Sequence, residues 1–227
     1  MGRYLNSSTP YALYQGEANQ PYFVDKSLLL TELFPVLDAR NQHICITRPR
    51  RFGKTVMANM VSAFFSHGVD STEIFSKLKI AESTGYKKHL NTHDVIRIDF
   101  SRMPRNCNSY DQYIERIERI LIQDLMEAYP KADIQEEDAV WDSLDLVYER
   151  YGCQRFIFVF DEWDCIFHKD FITDEEKKKY ISFLSSLLKD KAYVLLSYMT
   201  GILPIAKYSS GSELNMFAEY TMVSEEK

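Results

Sequence analysis

The sequence has no long apolar run. No stretch approaches the roughly 18 residues that a membrane-spanning helix needs, and the N-terminus, MGRYLNSSTPYALYQG, lacks the apolar core of a secretory leader. A cytoplasmic protein with no membrane partner is expected, and Asn6-Ser7-Ser8, which matches a glycosylation sequon, carries no weight without a secretion signal. There is no CxxC pair among Cys45, Cys107, Cys153 and Cys165, so neither a zinc knuckle nor a disulfide framework is suggested, and reduced core thiols are the expectation. Nor is there an excess of positive charge. With a formal net charge of -6, direct nucleic-acid binding is not indicated and would need a local basic patch or a partner. Internal repeats and low-complexity segments are also missing. What is present, 227 residues with 45% hydrophobic and 14% aromatic content, suffices for the core of one domain across residues 1–227.

The first twenty residues are polar and rich in Tyr, Ser, Asn and Gln. Lys26 to Arg40 reads as a helix interrupted or ended near Pro35. His43 to Thr47 (HICIT) is a short apolar run with β-branched residues, a buried strand. After RPRRFGKT (Arg48 to Thr55), Val56, Met57, Met60, Val61, Phe64 and Phe65 recur at helical spacing, giving strand, loop, helix. Val95 to Phe100 is a second strand, followed by an amphipathic helix in which Tyr110, Tyr113, Ile114, Ile117, Leu121 and Leu125 share a face. A further helix carries Val140, Leu144, Val147, Tyr148 and Tyr151 inward and stops at Gly152. Arg155 to Phe160 (RFIFVF) is the most apolar strand and runs into Asp161-Glu162. Thr173 and Glu176 make a capping box for a helix with Ile181, Leu184, Leu187 and Leu188 inward. Ala192 to Tyr198 is a fourth strand and Ala218 to Val223 a weaker fifth. Alternating strands and helices predict an α/β fold, a mainly parallel sheet with helices on both faces.

A loop joining a buried strand to a helix aims several backbone N–H groups and the positive end of the helix dipole at one point, which suits a polyphosphate. Within the segment Arg50, Arg51, Phe52, Gly53, Lys54, Thr55 and Val56, Gly53 lets the backbone approach phosphate oxygens. Lys54 can reach the β- and γ-phosphates, and Thr55 can place its hydroxyl on Mg²⁺. The spacing departs from GxxxxGK[ST] at one point, because Arg48 stands where the first glycine belongs. Glycine tolerates a backbone geometry there that arginine disfavours, so the loop is expected to enter differently, shaped by the fixed φ of Pro49. A basic loop with an accidental GKT is the plain alternative. Against it, RFIFVF delivers Asp161 to the C-terminal edge of the sheet, where open α/β folds bind ligands. Asp161 would hold the magnesium and Glu162 would orient and partly deprotonate an attacking water. An exposed strand-end acidic pair would account for that motif alone; both motifs in the right order, each at a strand end, are harder to obtain by chance.

These residues resemble the predicted AAA-ATPase-like proteins of bacteria, which are P-loop NTPases. The resemblance covers nearly the whole chain through YFVDKS (Tyr22 to Ser27), RPRRFGKT, VIRIDFS (Val95 to Ser101), FVFDEWD (Phe158 to Asp164), TGILPIAK and SELNMFAEYTM. An arginine-rich loop without its first glycine is itself the family's pattern. The resemblance implies an additional-strand P-loop fold, with Ala192 to Tyr198 between His43 to Thr47 and Arg155 to Phe160, and Val95 to Phe100 outside. It also implies ATP and Mg²⁺ as cofactors and a sensor position for Thr200 near the γ-phosphate. Family members continue into a lid-like region and a nuclease-like domain; with the sequence ending at Lys227, neither is expected here. Beyond nucleotide, the partners considered are a second copy of the chain and a nuclease-like domain or partner outside it.

Tyr22 and Phe23 are candidates for stacking on adenine, with core packing the alternative, favoured for Phe23. Asp25 and Lys26 could form a surface pair. Arg50 and Arg51 could touch phosphate through their planar guanidinium groups or simply face solvent. Trp163 and Asp164 read as packing or a loop cap. His168 has no second histidine at ligand spacing, and Lys177 to Lys179 is a solvated face. Three functions stay open: an ATPase, a nucleotide-dependent switch with little turnover, and an incomplete core completed by an absent lid or partner.

Overall fold

Alternation along one strand sets the architecture. In β3 (Phe156–Asp161), Phe156, Phe158 and Phe160 enter one core and Ile157 and Val159 the other, and every residue is buried. Such a strand must lie inside a sheet covered on both faces. The computed structural model describes residues 1–37, 39, 42–208 and 212–221, and in it β3 lies between β2 (Asp94–Asp99) and β4 (Val194–Gly201). Beyond β4 come β1 (His43–Thr47) and β5 (Ala218–Tyr220), so the order is β2-β3-β4-β1-β5 with every neighbouring pair parallel. β4 is thus the additional strand between β1 and β3, as expected. Thr47 pairs with Gly201 and Asp99 with Asp161, which aligns the C-terminal ends of the strands along one edge.

Helices cover both faces. α5 (Tyr110–Ala128), α6 (Val140–Arg150) and α7 (Asp174–Leu188) pack on the phenylalanine side. α1 (Thr9–Ala18), α2 (Lys54–Phe65) and the short α3 (Thr72–Phe75) and α4 (Tyr86–His89) contribute to the other core. α5 presents Tyr113, Ile117, Leu121 and Leu125 at four-residue spacing, all buried, the stripe that helical periodicity requires. α7 begins with the anticipated capping box, Thr173 accepting from the Glu176 amide and Glu176 from the Thr173 amide. α6 ends before Gly152, whose φ of 66° is the left-handed conformation typical after a helix C-terminus.

Several expectations need correction. Within Lys26 to Arg40 the described residues form two 3₁₀ turns, Ser27–Glu32 and Phe34–Val36, rather than an α-helix. Pro35 has no N–H to give, and Asp25 accepts instead from the amides of Ser27 and Lys79, both at 2.8 Å, rather than pairing with Lys26. Asp38, Arg40, Met222 and Val223 lie outside the described residues. The polar opening contains a helix, α1, that buries only Pro10 and Tyr14, too little for a periodic signal. The cysteines are free, but only Cys45 is buried; Cys107 and Cys165 are half-buried and Cys153 is exposed.

The edge of β2 is covered by the N-terminal segment. Leu5 forms an antiparallel bridge with Ile96, Asn6 N donates to Val95 O at 2.8 Å and Arg97 N to Tyr4 O at 2.9 Å. Asp124 of α5 fixes this segment by accepting from the amides of Arg3, Tyr4 and Leu5 at 2.9, 2.6 and 3.0 Å. Asp124→Ala leaves these donors without their acceptor, at a cost of about 1–3 kcal/mol for each buried group. We expect urea unfolding to report a loss of roughly 3 kcal/mol for Asp124→Ala and a smaller loss for Asp124→Asn, which keeps one acceptor oxygen.

Candidate functional site

The loop after β1 solves the missing-glycine problem by postponing its turn. Arg48 stays extended, its amide continuing the ladder to Gly201 O at 3.1 Å. Its guanidinium bonds the carbonyls of Thr47 and Tyr220 at 3.0 and 3.2 Å, which ties the phosphate loop to the end of β5. The left-handed backbone appears later, at Arg51 (φ 70°) and Gly53 (φ 77°). Gly53 adopts that conformation readily, whereas Arg51 is strained. Gly53 caps α2, and Lys54 is its first residue.

Lys54 is only 6% exposed. Its Nζ donates to Pro49 O at 3.2 Å and lies 3.7 Å from Glu162 Oε1, so the lysine crosses the loop to the acidic strand end. Asp161, at the end of β3, is 1% exposed. One carboxylate oxygen accepts from Thr200 Oγ1 of β4 at 2.5 Å, and the other accepts from Arg97 Nη2 of β2 at 3.1 Å. Burial holds the Arg97 pKa below its ordinary value, with Asp161 opposing, and the guanidinium remains charged at neutral pH.

Immediately after Asp161 the chain turns. Glu162 takes a φ of 53°, a strained position for a residue with a Cβ, and this sends its carboxylate toward Lys54. Burial raises the Glu162 pKa; Lys54 opposes the shift and Asp161 and Asp164 add to it. The turn is braced from behind. Trp163 is fully buried and packs over Gly201, where a Cβ would come within 2.4 Å of the indole. Trp163 N donates to Thr200 O at 3.1 Å, and Asp164 accepts from the amides of Ile202 and Leu203 at 3.0 and 2.7 Å. Packing for Trp163 and a loop cap for Asp164 are what their positions suggested.

Of the expected site residues, direct contacts join Lys54 to Glu162 and Asp161 to Thr200. Arg50, Arg51, Phe52 and Thr55 are exposed around the loop and Val56 is half-buried. Two cavities flank α2. One, of about 430 Å³, is lined by Arg48, Phe52, Lys54, Met57, Tyr198 and Tyr220 among others. The other, of about 310 Å³, includes Tyr22, Phe23, Gly53 and Val56. Tyr22 is 93% exposed at its rim, while Phe23 packs edge-on against Tyr14. Among the described residues no group of three or more His, Cys, Asp or Glu converges on a metal-sized site. A divalent cation between Thr55 and Asp161 would therefore complete its oxygen shell from nucleotide and water, as Mg²⁺ does. Hydroxyl and carboxylate are oxygen donors of the kind that ion takes, and both Asp161 oxygens are held by Thr200 and Arg97.

Arg97 and Arg48 were not among the expected site residues. The signal for Arg97 was legible: an arginine inside VIRID, an otherwise apolar strand, needs a buried acid as partner. Arg48 gave no comparable signal, because its contacts depend on where β5 lies. Among the described residues no helix is long and apolar enough to cross a membrane.

The family model described as Predicted AAA-ATPase matches residues 16–210, a span that includes the phosphate loop, Arg97, Asp161, Glu162 and Thr200. No curated protein and no solved structure matches the chain.

The buried Arg97–Asp161 pair generates a stability prediction. Removing one partner strands the other charge and costs about 3–5 kcal/mol. Arg97→Gln should lower the unfolding free energy by that amount in urea at neutral pH, and Arg97→Gln with Asp161→Asn should recover part of it. A double variant no more stable than the sum of the single losses would show that the two side chains do not depend on each other.

Proposed function

The chain belongs to the Predicted AAA-ATPase family, and from that premise we propose that it binds ATP with Mg²⁺ and hydrolyses it to drive a conformational change. The observation that carries this reading is the approach of Lys54 Nζ to Glu162 Oε1, 3.7 Å, which brings the phosphate loop and the acidic strand end to one point. In this reading the backbone N–H groups of residues 53 to 56 and the exposed guanidinium groups of Arg50 and Arg51 receive phosphate oxygens. Phe52 shields the loop. Lys54 exchanges Pro49 O and Glu162 for the β- and γ-phosphates, and Tyr22 offers a ring face to adenine. Thr55 and Asp161 hold the Mg²⁺, which when bound neutralises phosphate charge. Thr200 fixes one oxygen of Asp161 and lies in the sensor position.

Released from Lys54, Glu162 accepts a proton from the water whose oxygen attacks the γ-phosphorus; the bond from that phosphorus to the bridging oxygen breaks and ADP leaves. A raised pKa makes Glu162 a better base at neutral pH. It also means that the base is lost at a higher pH than for an ordinary glutamate.

A second reading, a nucleotide-dependent switch with little turnover, is favoured by one observation. Both acids are already engaged, Glu162 by Lys54 and Asp161 by Arg97 and Thr200, so the arrangement must be rearranged before it can act.

Calorimetry should find ATP binding weakened in Lys54→Ala by roughly 1.5–3 kcal/mol, the worth of a charge-assisted contact. Equal affinities would remove Lys54 from the site. Glu162→Gln should keep ATP binding and lower single-turnover hydrolysis by roughly 10²- to 10⁴-fold, whereas Asp161→Asn should impair Mg²⁺-dependent binding too. In wild type, turnover should fall on acidification through a pKa above the usual glutamate value of about 4.3. Binding without hydrolysis in wild type would select the switch.

A further inference from the structure

A small cavity of about 160 Å³ is lined in part by Arg97, the residue that pairs with Asp161. Its walls come from the N-terminal segment, α1, α2, the end of β2 and α5, and they bring together Arg3, Arg97, Arg102 and Arg116 with Asn59 and the single acid Asp99. Arg102 is neutralised by Asp99 at 2.9 Å and Arg97 by Asp161 at 3.1 Å. Arg3 and Arg116 form no salt bridge among the described residues, so the cavity keeps a positive excess.

Two of the residues that line it carry a polar atom with no partner. These atoms are Arg97 Nε and Asn59 Oδ1, both fully buried. The Arg97 side chain is 9% exposed, and its guanidinium donates to Asp161 through one nitrogen while another points nowhere. The Asn59 amide, rotated by half a turn, presents N–H donors in place of its oxygen. Leaving such groups unpaired costs about 1–3 kcal/mol each, and converging guanidinium groups repel. A compact anion with several acceptor oxygens in the cavity offsets the repulsion and, with a small turn of either side chain, offers these groups an acceptor. The volume is well below the roughly 300 Å³ at which pockets for larger ligands begin, so a nucleotide does not fit and a tetrahedral oxyanion does.

We propose that this cavity is a second oxyanion site, distinct from the phosphate loop, that takes orthophosphate and receives the phosphate split from ATP. The identity of the ligand's source rests on the hydrolysis reading above; the site itself does not. Asn59 lies one helical turn beyond Thr55 on α2, so one helix contributes both to the cavity lining and to the hydroxyl assigned to Mg²⁺. Arg97 is the link: an anion at its Nε draws the guanidinium away from Asp161, and Asp161 and the anion compete for one cation.

The test titrates orthophosphate against the full chain, followed by phosphorus NMR, without nucleotide. Lys54→Ala removes phosphate binding at the loop, and in that background orthophosphate should still bind. Adding Arg116→Gln, a half-buried position, or Asn59→Leu, which fills the cavity, should weaken the remaining binding about tenfold or more. Urea unfolding curves confirm that the variants fold, and Arg116→Gln decides if Asn59→Leu does not. Loss of all phosphate binding in Lys54→Ala, or unchanged affinity on adding Arg116→Gln, overturns the proposal. For the source, added phosphate should inhibit wild-type turnover, and Arg116→Gln should relieve that inhibition; equal inhibition overturns the assignment as a product site. If wild type neither binds nor hydrolyses ATP, the phosphate titration still decides the cavity.

Discussion

Everything near the site depends on giving the Asp161 carboxylate partners where almost no water reaches it. An isolated buried carboxylate is too costly to persist, so neighbouring strands must supply both of its partners. Thr200 comes from β4 and Arg97 from β2, the strands on either side of β3. The strand order is therefore part of the electrostatics. Moving β4 away from β3 would remove the hydroxyl, and losing β2 from the edge would remove the guanidinium. The N-terminal segment that covers β2 serves the same end, because an edge strand carrying a buried arginine must be shielded from water on its open side.

The phosphate loop shows how a local rule can be broken without breaking the fold. The first glycine of a standard loop relaxes the backbone where strand becomes loop. With Arg48 there, the chain continues as strand for one more residue and turns at Arg51 and Gly53. The cost is strain at Arg51; what offsets it is the pair of bonds from the Arg48 guanidinium to Thr47 O and Tyr220 O. Strand β5, only three residues long, is thereby attached to the loop that follows β1.

The sheet and its order were legible because β1, β3 and β4 are continuous apolar runs, and because the family resemblance supplied the pairing that runs alone cannot. The capping box of α7 and the stripe of α5 were legible as local chemistry. α1 was not, since a helix that buries only Pro10 and Tyr14 leaves no period to detect. The turns after Asp25 were not, since an apolar cluster such as Leu28 to Leu30 fits several conformations and only a distant amide, that of Lys79, decides between them. In the site, Gly53, Lys54 and the acidic pair were readable from spacing. That Arg97 needs a buried acid was legible in VIRID, whereas the identity of that acid required knowing which strand lies next to β2.

The two acids are neutralised by cations of different mobility, and this difference orders events. Lys54 sits at the start of a helix and reaches Glu162 at 3.7 Å, a longer contact than that of Arg97 with Asp161. Arg97 grows from the middle of a strand and meets Asp161 at 3.1 Å, held by a planar group with its stem packed. A polyanion arriving at the loop can draw Lys54 away at little cost, which frees Glu162 first. Freeing Asp161 requires a second anion or a second cation on the β2 side. On the proposed ATPase reading, nucleotide would free the base Glu162, and the metal ligand Asp161 would be freed by what happens beyond Arg97, which would couple turnover to the state of the sheet edge.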